Sequence, residues 1–388
     1  MTLAGVNFPK EWKLCPLTDV AEIRLSNVDK KVAPNETPVL LCNYMDVYGN
    51  EYIHGRLDFS EGSATEMEIS KFSLSLGDVV ITKDSETQED IAKAALVSEE
   101  IPGLVCGYHL AIIRASRRFL IGEYLKECVQ LPHVRAQFIK KANGVTRYGL
   151  TQATIHEALV PLPPLPEQRK IAEILGMWDE AIRLTADLIA AKQQRKKGLM
   201  QRLLTGAVRF PGFEGRPWRR RTLQELLQID YGKSPNGVRD DEGIFPIYGT
   251  GGIVGSSNQA LCDKPAIIVG RKGTINKPQL AVTPFWAIDT TYYCVPRSHV
   301  DVAWAYYTLN HMALEKYNEA SGVPSLLRTT LYSIYVEVPE LYEQQKIAAV
   351  LRACDDEIDL LQQKLAALEQ QKKGLMQRLL TGQVRVKV

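Results

Sequence analysis

The residues best suited to chemistry in this chain are cations and hydroxyls gathered in short clusters. One is Thr82-Lys83-Asp84-Ser85 and another is Gly270-Arg271-Lys272-Gly273-Thr274. Each follows an apolar run that reads as a strand. A further pair, Thr146-Arg147-Tyr148 and Leu327-Arg328-Thr329-Thr330, follows two Gly-Val landmarks, at Gly144 and Gly322. Arg can donate two bonds to guanine O6 and N7, while Thr, Ser and Lys can address base edges or phosphate. The bland reading of any one of these residues is a solvated loop with an incidental cation. As groups at corresponding places in the chain, they point to nucleic-acid binding.

Catalytic spacings are missing from the sequence. The six histidines (54, 109, 133, 156, 299 and 311) form no H-E-x-x-H motif and no cluster with cysteine. There is no G-x-S-x-G and no Asn/Asp-Pro-Pro-aromatic motif of the amino-methyltransferase kind. The run Tyr248-Gly249-Thr250-Gly251-Gly252-Ile253-Val254-Gly255 lacks the Lys-Ser/Thr of a phosphate-binding P-loop. Tight turns, or backbone lying close to nucleic acid, account for it better. Seven cysteines without a C-x-x-C pair predict reduced, structural thiols and no zinc site. The reading is therefore no catalytic residue, no metal and no cofactor in this chain.

An internal repeat must position the clusters. Glu167–Phe210 and Glu343–Val386 align without a gap at an offset of 176 residues, and Lys196–Gly206 is identical to Lys372–Gly382. Both copies carry a heptad seam. In the first the seam is Ile171, Leu175, Trp178, Ile182, Thr185, Ile189, Lys192, Lys196, Leu199 and Leu203. In the second it is Ile347, Leu351, Cys354, Ile358, Leu361, Leu365, Leu368, Lys372, Leu375 and Leu379. A helix of about 38 residues is about 57 Å long and cannot bury such a seam alone. The other copy is the simplest partner. Gly206 and Gly382 read as left-handed caps. Gly198 and Gly374, inside the pattern, fit either a close helix approach or a kink.

The repeat reaches beyond the helices. Gly122–Lys141 and Val302–Asn318 read as preceding helices, and Ile155–Pro161 and Ile334–Pro339 as short strands. Trp12 and Trp218 open the two globules, each of which reads as α+β. Candidate strands are Val39–Cys42, Val79–Thr82, Ala94–Val97 and Leu110–Ile113, then Ile247–Tyr248, Ala266–Val269 and Tyr292–Val295. The expected plan is residues 1–165 as a first globule, 166–209 as a helical spacer, 210–340 as a second globule and 341–388 as a second spacer.

Net charge over the 388 residues is only +2. From Lys192 to Arg221, however, ten cations stand against one acid, Glu214. Such a strip is either a solvated helix end or an anion-facing surface. No apolar stretch reaches membrane-span length, and the N-terminus carries no secretory pattern, so a cytoplasmic protein without membrane contact is expected.

Together these features resemble one family, the DNA-specificity subunits of type I restriction-modification systems. The resemblance rests on Pro164-Leu165-Pro166-Glu167-Gln168-Arg169-Lys170-Ile171-Ala172, on the repeated Lys-Lys-Gly-Leu-Met-Gln-Arg-Leu-Leu-Thr-Gly, and on Gly77–Asp84. Tyr231-Gly232-Lys233-Ser234, Tyr248–Gly255 and Gly270–Gly273 add to it. The second helix departs from the pattern, opening Val338-Pro339-Glu340-Leu341-Tyr342-Glu343-Gln344 without the full proline run.

The resemblance implies two α+β target-recognition domains separated by two long α-helices packed as an antiparallel intramolecular coiled coil, a pseudo-two-fold repeat. Each domain would bind half of an asymmetric, split site in double-stranded DNA, and the helices would fix the spacing. Two modification (methyltransferase) subunits would dock and supply S-adenosylmethionine, with two restriction subunits (endonuclease and translocase) as further partners in phage defence. Candidate DNA-binding residues are Thr82, Lys83, Ser85, Arg147 and Tyr148 in the first domain. In the second they are Lys233, Ser234, Tyr248, Arg271, Lys272, Thr274, Arg328 and Thr329. Two other readings stay open: a coiled-coil scaffold clamping two protein partners without DNA, and an enzyme with its site in the Gly-rich second globule.

Overall fold

Heptad spacing becomes two uninterrupted helices, Leu165–Leu204 and Leu341–Leu380, each of 40 residues. The computed structural model describes residues 2–387. Every seam position named above, on both helices, is buried or half-buried. Leu175 and Leu351 are wholly buried. Gly206 and Gly382 adopt φ of +71° and +70°, the left-handed conformation that ends a helix and that glycine tolerates best. Gly198 and Gly374 are exposed, and a Cβ added at either would meet nothing within 4 Å. Neither is required by helix packing, and neither interrupts its helix.

The first helix ends at Leu204, the chain turning back at the expected Gly206 cap, where Val208 N–H donates to Arg202 O (3.1 Å). The chain divides into two compact units, Met1–Leu184 with Leu365–Val388, and Thr185–Lys364. Each globule buries helix ends in its own core, so each unit owns part of both helices. In the first unit Ile171 and Leu175 share a core with Leu379 and Leu380. In the second, Leu203 and Leu204 share one with Ile347, Ala348 and Leu351. In each unit the start of one helix therefore lies against the end of the other, an antiparallel pairing.

The globules have diverged in sequence but not in topology. The first unit's main sheet runs Ala21–Leu25, Leu110–Ala115, Val79–Thr82, Ala94–Val97, with Tyr52–Ile53 added at the edge. The second unit's runs Leu227–Tyr231, Thr291–Pro296, Ala266–Gly270, Gln279–Ala281. The shared four strands are antiparallel throughout in both. Each unit adds a three-stranded sheet with one antiparallel and one parallel neighbour, centred on Thr37–Cys42 or Phe245–Tyr248. A third pairing joins Lys13–Pro16 to Leu159–Leu162, and Arg219–Thr222 to Tyr335–Val338. The stretch Gly122–Lys141 is two helices, broken at Leu131 because Pro132 opens the second. Val302–His311 likewise stops short of Asn318. Cys42, Cys106, Cys128 and Cys294 are buried, and burial pushes their thiols up. No helix among the described residues is long and apolar enough to cross a membrane.

The same lock fastens each globule to its helices. Glu167, at the first turn of the first long helix, accepts from Trp12 Nε1 (3.1 Å) and from Arg385 Nε (2.6 Å) and Nη2 (2.9 Å). Glu343 accepts from Trp218 Nε1 (3.1 Å) and Arg209 Nε (2.7 Å) and Nη2 (2.9 Å). Both carboxylates are buried. Each arginine lies just past the end of the other long helix, so the tail of one helix is pinned to the start of its partner. The next residue holds the globule. Gln168 donates to Phe119 O and Pro163 O and accepts from Ile121 N–H. Gln344 does the same with His299 O, Pro339 O and Asp301 N–H. The missing prolines of the second copy leave this arrangement unchanged.

About three turns further along the helix the units differ. Asp179 accepts from Lys126 (2.9 Å) and Tyr52 Oη (2.7 Å) and pairs with Lys372. Lys126 also reaches Glu51 (3.0 Å) and Glu127 (2.5 Å). Glu51, Glu127 and Asp179 lie close enough to hold a cation, but two ammonium groups already sit among them. Burial alone would raise the Asp179 carboxyl, yet Lys126 and Lys372 hold it well below the usual range. In the second unit Asp355 also accepts from a tyrosine, Tyr307 Oη (2.7 Å), but among the described residues it pairs with one lysine, Lys196, rather than two.

Candidate nucleic-acid interface

In both units the sheet edge behind the polar clusters is built by the same backbone bonds. Lys83 N–H donates to His109 O (3.0 Å), and Leu150 N–H donates to Lys83 O (2.8 Å). Arg271 N–H donates to Thr290 O (2.8 Å), and Leu326 N–H donates to Arg271 O (3.0 Å). Lys83 and Arg271 thus hold equivalent positions, as do Leu150 and Leu326. It follows that Arg147 and Arg328 do not correspond. Arg147 precedes its leucine by three residues, whereas Arg328 follows by two and opens the helix Arg328–Ser333. Counting from the Gly-Val landmarks misaligned them.

In the first unit two candidates prove internal. Thr82 is wholly buried; its hydroxyl donates to Asp90 O (2.9 Å) and accepts from Lys93 N–H (3.0 Å). Ser85 is buried, 3.2 Å from Tyr44 Oη, and accepts from Thr87 N–H (3.3 Å). Polar residues at a strand end were spent on the following turn, so both hydroxyls are engaged within the fold. Lys83 is pinned to Asp84 (2.8 Å), whose carboxylate also lies 3.2 Å from His109 Nδ1. Tyr148, half-buried, pairs with Ser85 across a two-residue ladder, which brings exposed Arg147 beside the first cluster. Aromatic residues that pattern reading missed surround this edge. Tyr44 and Tyr48 stack at 5.5 Å, and Tyr108 lies 3.7 Å from His109, centroid to centroid. Their signal was available as the i, i+4 tyrosine pair and the Tyr-His before a strand.

The second unit is more cationic. Arg271 and Arg328 lie over the Tyr231 ring at 5.7 and 4.9 Å. Tyr231, 46% exposed and absent from the sequence candidates, packs edge-on against Tyr292 at 5.1 Å. Burial, then Tyr231, pushes the Tyr292 hydroxyl up to about 12, and it donates to Leu326 O (3.1 Å). Lys233, Ser234, Lys272 and Thr329 are exposed, and Thr274 is half-buried. Tyr248, also half-buried, is set edge-on to Phe285 at 5.8 Å. Among the described residues Lys233, Arg271, Lys272 and Arg328 make no ion pair. The first unit carries Asp84 where the second carries Lys272.

Two glycines let these strand ends meet. A Cβ on Gly232 would lie 2.0 Å from Ile288 O, and one on Gly270 would lie 2.0 Å from Thr274 O. Gly270→Ala must therefore displace the 271–274 turn. The expected result is at least tenfold faster backbone hydrogen exchange across residues 271–274, with helix content unchanged by circular dichroism.

The sequence profile of the type I restriction modification DNA specificity domain matches residues 9–192 and 215–370. The chain belongs to this family. A Methanocaldococcus jannaschii protein provisionally named the type I restriction enzyme MjaX specificity subunit is 24% identical, over 98% of this chain and 95% of that protein. The EcoprrI specificity subunit of Escherichia coli is 26% identical over 35% of this chain and 36% of its own length. The crystal structure of the type I restriction-modification S subunit from M. genitalium is similar in fold. Its TM-score is 0.66 at 17% identity, covering 98% of this chain and 99% of that one. A chain from a study of complex assembly and conformational transition of the type I system gives 0.58 at 20% identity, over 97% and 100%. The α+β repeat with two long helices expected from the sequence is thus the fold of a type I specificity subunit.

Proposed function

We propose that this chain is the non-catalytic, sequence-reading subunit of a type I restriction-modification complex. Each unit binds one half of a bipartite, asymmetric site in double-stranded DNA through the strand-end platform described above. The observation that carries this reading is one platform built twice with different side chains. Lys83-Asp84 with Arg147 occupies the first, and Arg271-Lys272 with Arg328 the second. Two unlike heads on one repeated frame suit a non-palindromic target. Uncompensated cations on the second head favour DNA over a protein-clamping role, because phosphates supply most of the attraction for such a surface.

The long helices set the separation of the half-sites and offer their outer faces to two modification subunits, where S-adenosylmethionine would reside. Met177, Leu188 and Leu360 lie outside the seam and are 59%, 43% and 67% exposed, as a docking face requires. Two restriction subunits would complete the cleaving form. Inserting one heptad at the middle of each long helix preserves the seam and adds about 10 Å. Methylome sequencing of the co-expressed complex should then show a gap lengthened by about three base pairs at 3.4 Å each. An unchanged gap contradicts the spacing role.

A further inference from the structure

The second unit's platform carries a more specific statement about its target, which rests on the DNA-reading role proposed above. We infer that Tyr231 is a positioning residue that holds Arg271 and Arg328 as a pair of guanine readers, so the half-site bound by the second unit contains guanine at two positions. Both guanidinium groups lie over one ring, at 5.7 and 4.9 Å, and that ring is braced edge-on by Tyr292. A guanidinium held over an aromatic face loses little further freedom when it meets a base.

The remaining hydrogen bonds leave the reading edges free. Arg271 Nε donates to Asp289 O (3.1 Å), which leaves its two terminal nitrogens as a fork. Arg328 approaches Ile229 O with Nη1 at 3.5 Å, leaving Nε and Nη2 as the alternative fork. Either fork matches guanine O6 and N7 in the major groove. Among the described residues neither arginine is engaged by a carboxylate, unlike Arg209 or Arg385. Lys233 and Lys272 are exposed and unbraced, the condition of phosphate contacts. Lys83, equivalent to Arg271 in the first unit, is pinned by Asp84 and presents no fork, so the pair of arginines over one ring is a feature of the second unit.

The test is methylome sequencing of the full complex, co-expressed with its own modification subunit, for the wild type and four variants. Arg271→Ala and Arg328→Ala should each relax one position of the same half-site, a guanine in the wild-type motif. Discrimination there should fall about 5- to 150-fold. Tyr231→Ala should relax both positions, and Tyr231→Phe should restore the discrimination lost in Tyr231→Ala. The other half-site should persist unaltered in every variant, which reports that the chain still folds and assembles. Methylation lowered at an unchanged motif would make the arginines phosphate contacts and overturn the inference while leaving the bipartite reading intact. Relaxation at a position that is not guanine would also overturn it. A wild-type complex with no split motif would overturn both.

Discussion

Replacing Lys126 by methionine should lower the stability of the first unit by about 3–5 kcal/mol near neutral pH, the cost of breaking a buried charge cluster from one side. The ammonium is almost fully buried and bonds Glu51, Glu127 and Asp179. Methionine fills similar volume, so the loss is electrostatic rather than a cavity. Only Lys372 then remains to compensate Glu127 and Asp179, both buried. The pH dependence has a defined sign. In the wild type, Asp179 is held below its ordinary value, so its contribution is present above about pH 4 and is lost as pH falls further. In the variant the carboxyls lose their main cation, their folded-state pKa values rise, and the folded state takes up protons more readily than the unfolded. The destabilisation is thus largest at high pH and shrinks on acidification. Denaturant unfolding at pH 8 and pH 5 checks this. A gap between variant and wild type that widens at pH 5 would show that the cluster is not held by charge.

Glu343→Ala should cost about 1.5–3 kcal/mol, the range for hydrogen bonds to a charged group. The carboxylate is 1% exposed and is the shared acceptor of Arg209 and Trp218. Its removal leaves an indole N–H and a guanidinium facing an apolar gap. Because Arg209 lies beyond the end of the first long helix, the effect should spread to that tail. Hydrogen exchange should accelerate at residues 205–212, far in sequence from the substitution. Glu167→Ala should do the same to the tail that carries Arg385. A change confined to residues near 343 would contradict the lock.

The helix seam was legible because burial there follows from spacing alone. Leu175, Leu351, Ile189 and Ile358 are inside for the reason that their positions recur every three or four residues. The Glu-Gln pair in the first turn of each helix was visible as a repeat but not as a lock. Its partners, Trp12 and Arg385 for Glu167, lie 155 and 218 residues away, and periodicity carries no long-range pairing. Thr82 and Ser85 were misread because a strand-end hydroxyl looks the same whether it faces solvent or satisfies its own turn. Tyr231 was overlooked because its importance arises from two arginines that only the folded sheet brings to it. Equivalence between the globules lies in backbone bonds such as Leu150 N–H to Lys83 O. These survive where side-chain identity does not.

The most direct test of the sequence-reading role is N6-methyladenine sequencing of host DNA with the modification subunit expressed with and without this chain. The account predicts a split, asymmetric motif that appears only when the chain is present. A soluble, assembled complex that adds no methylation, or that methylates a continuous motif independent of this chain, would contradict it.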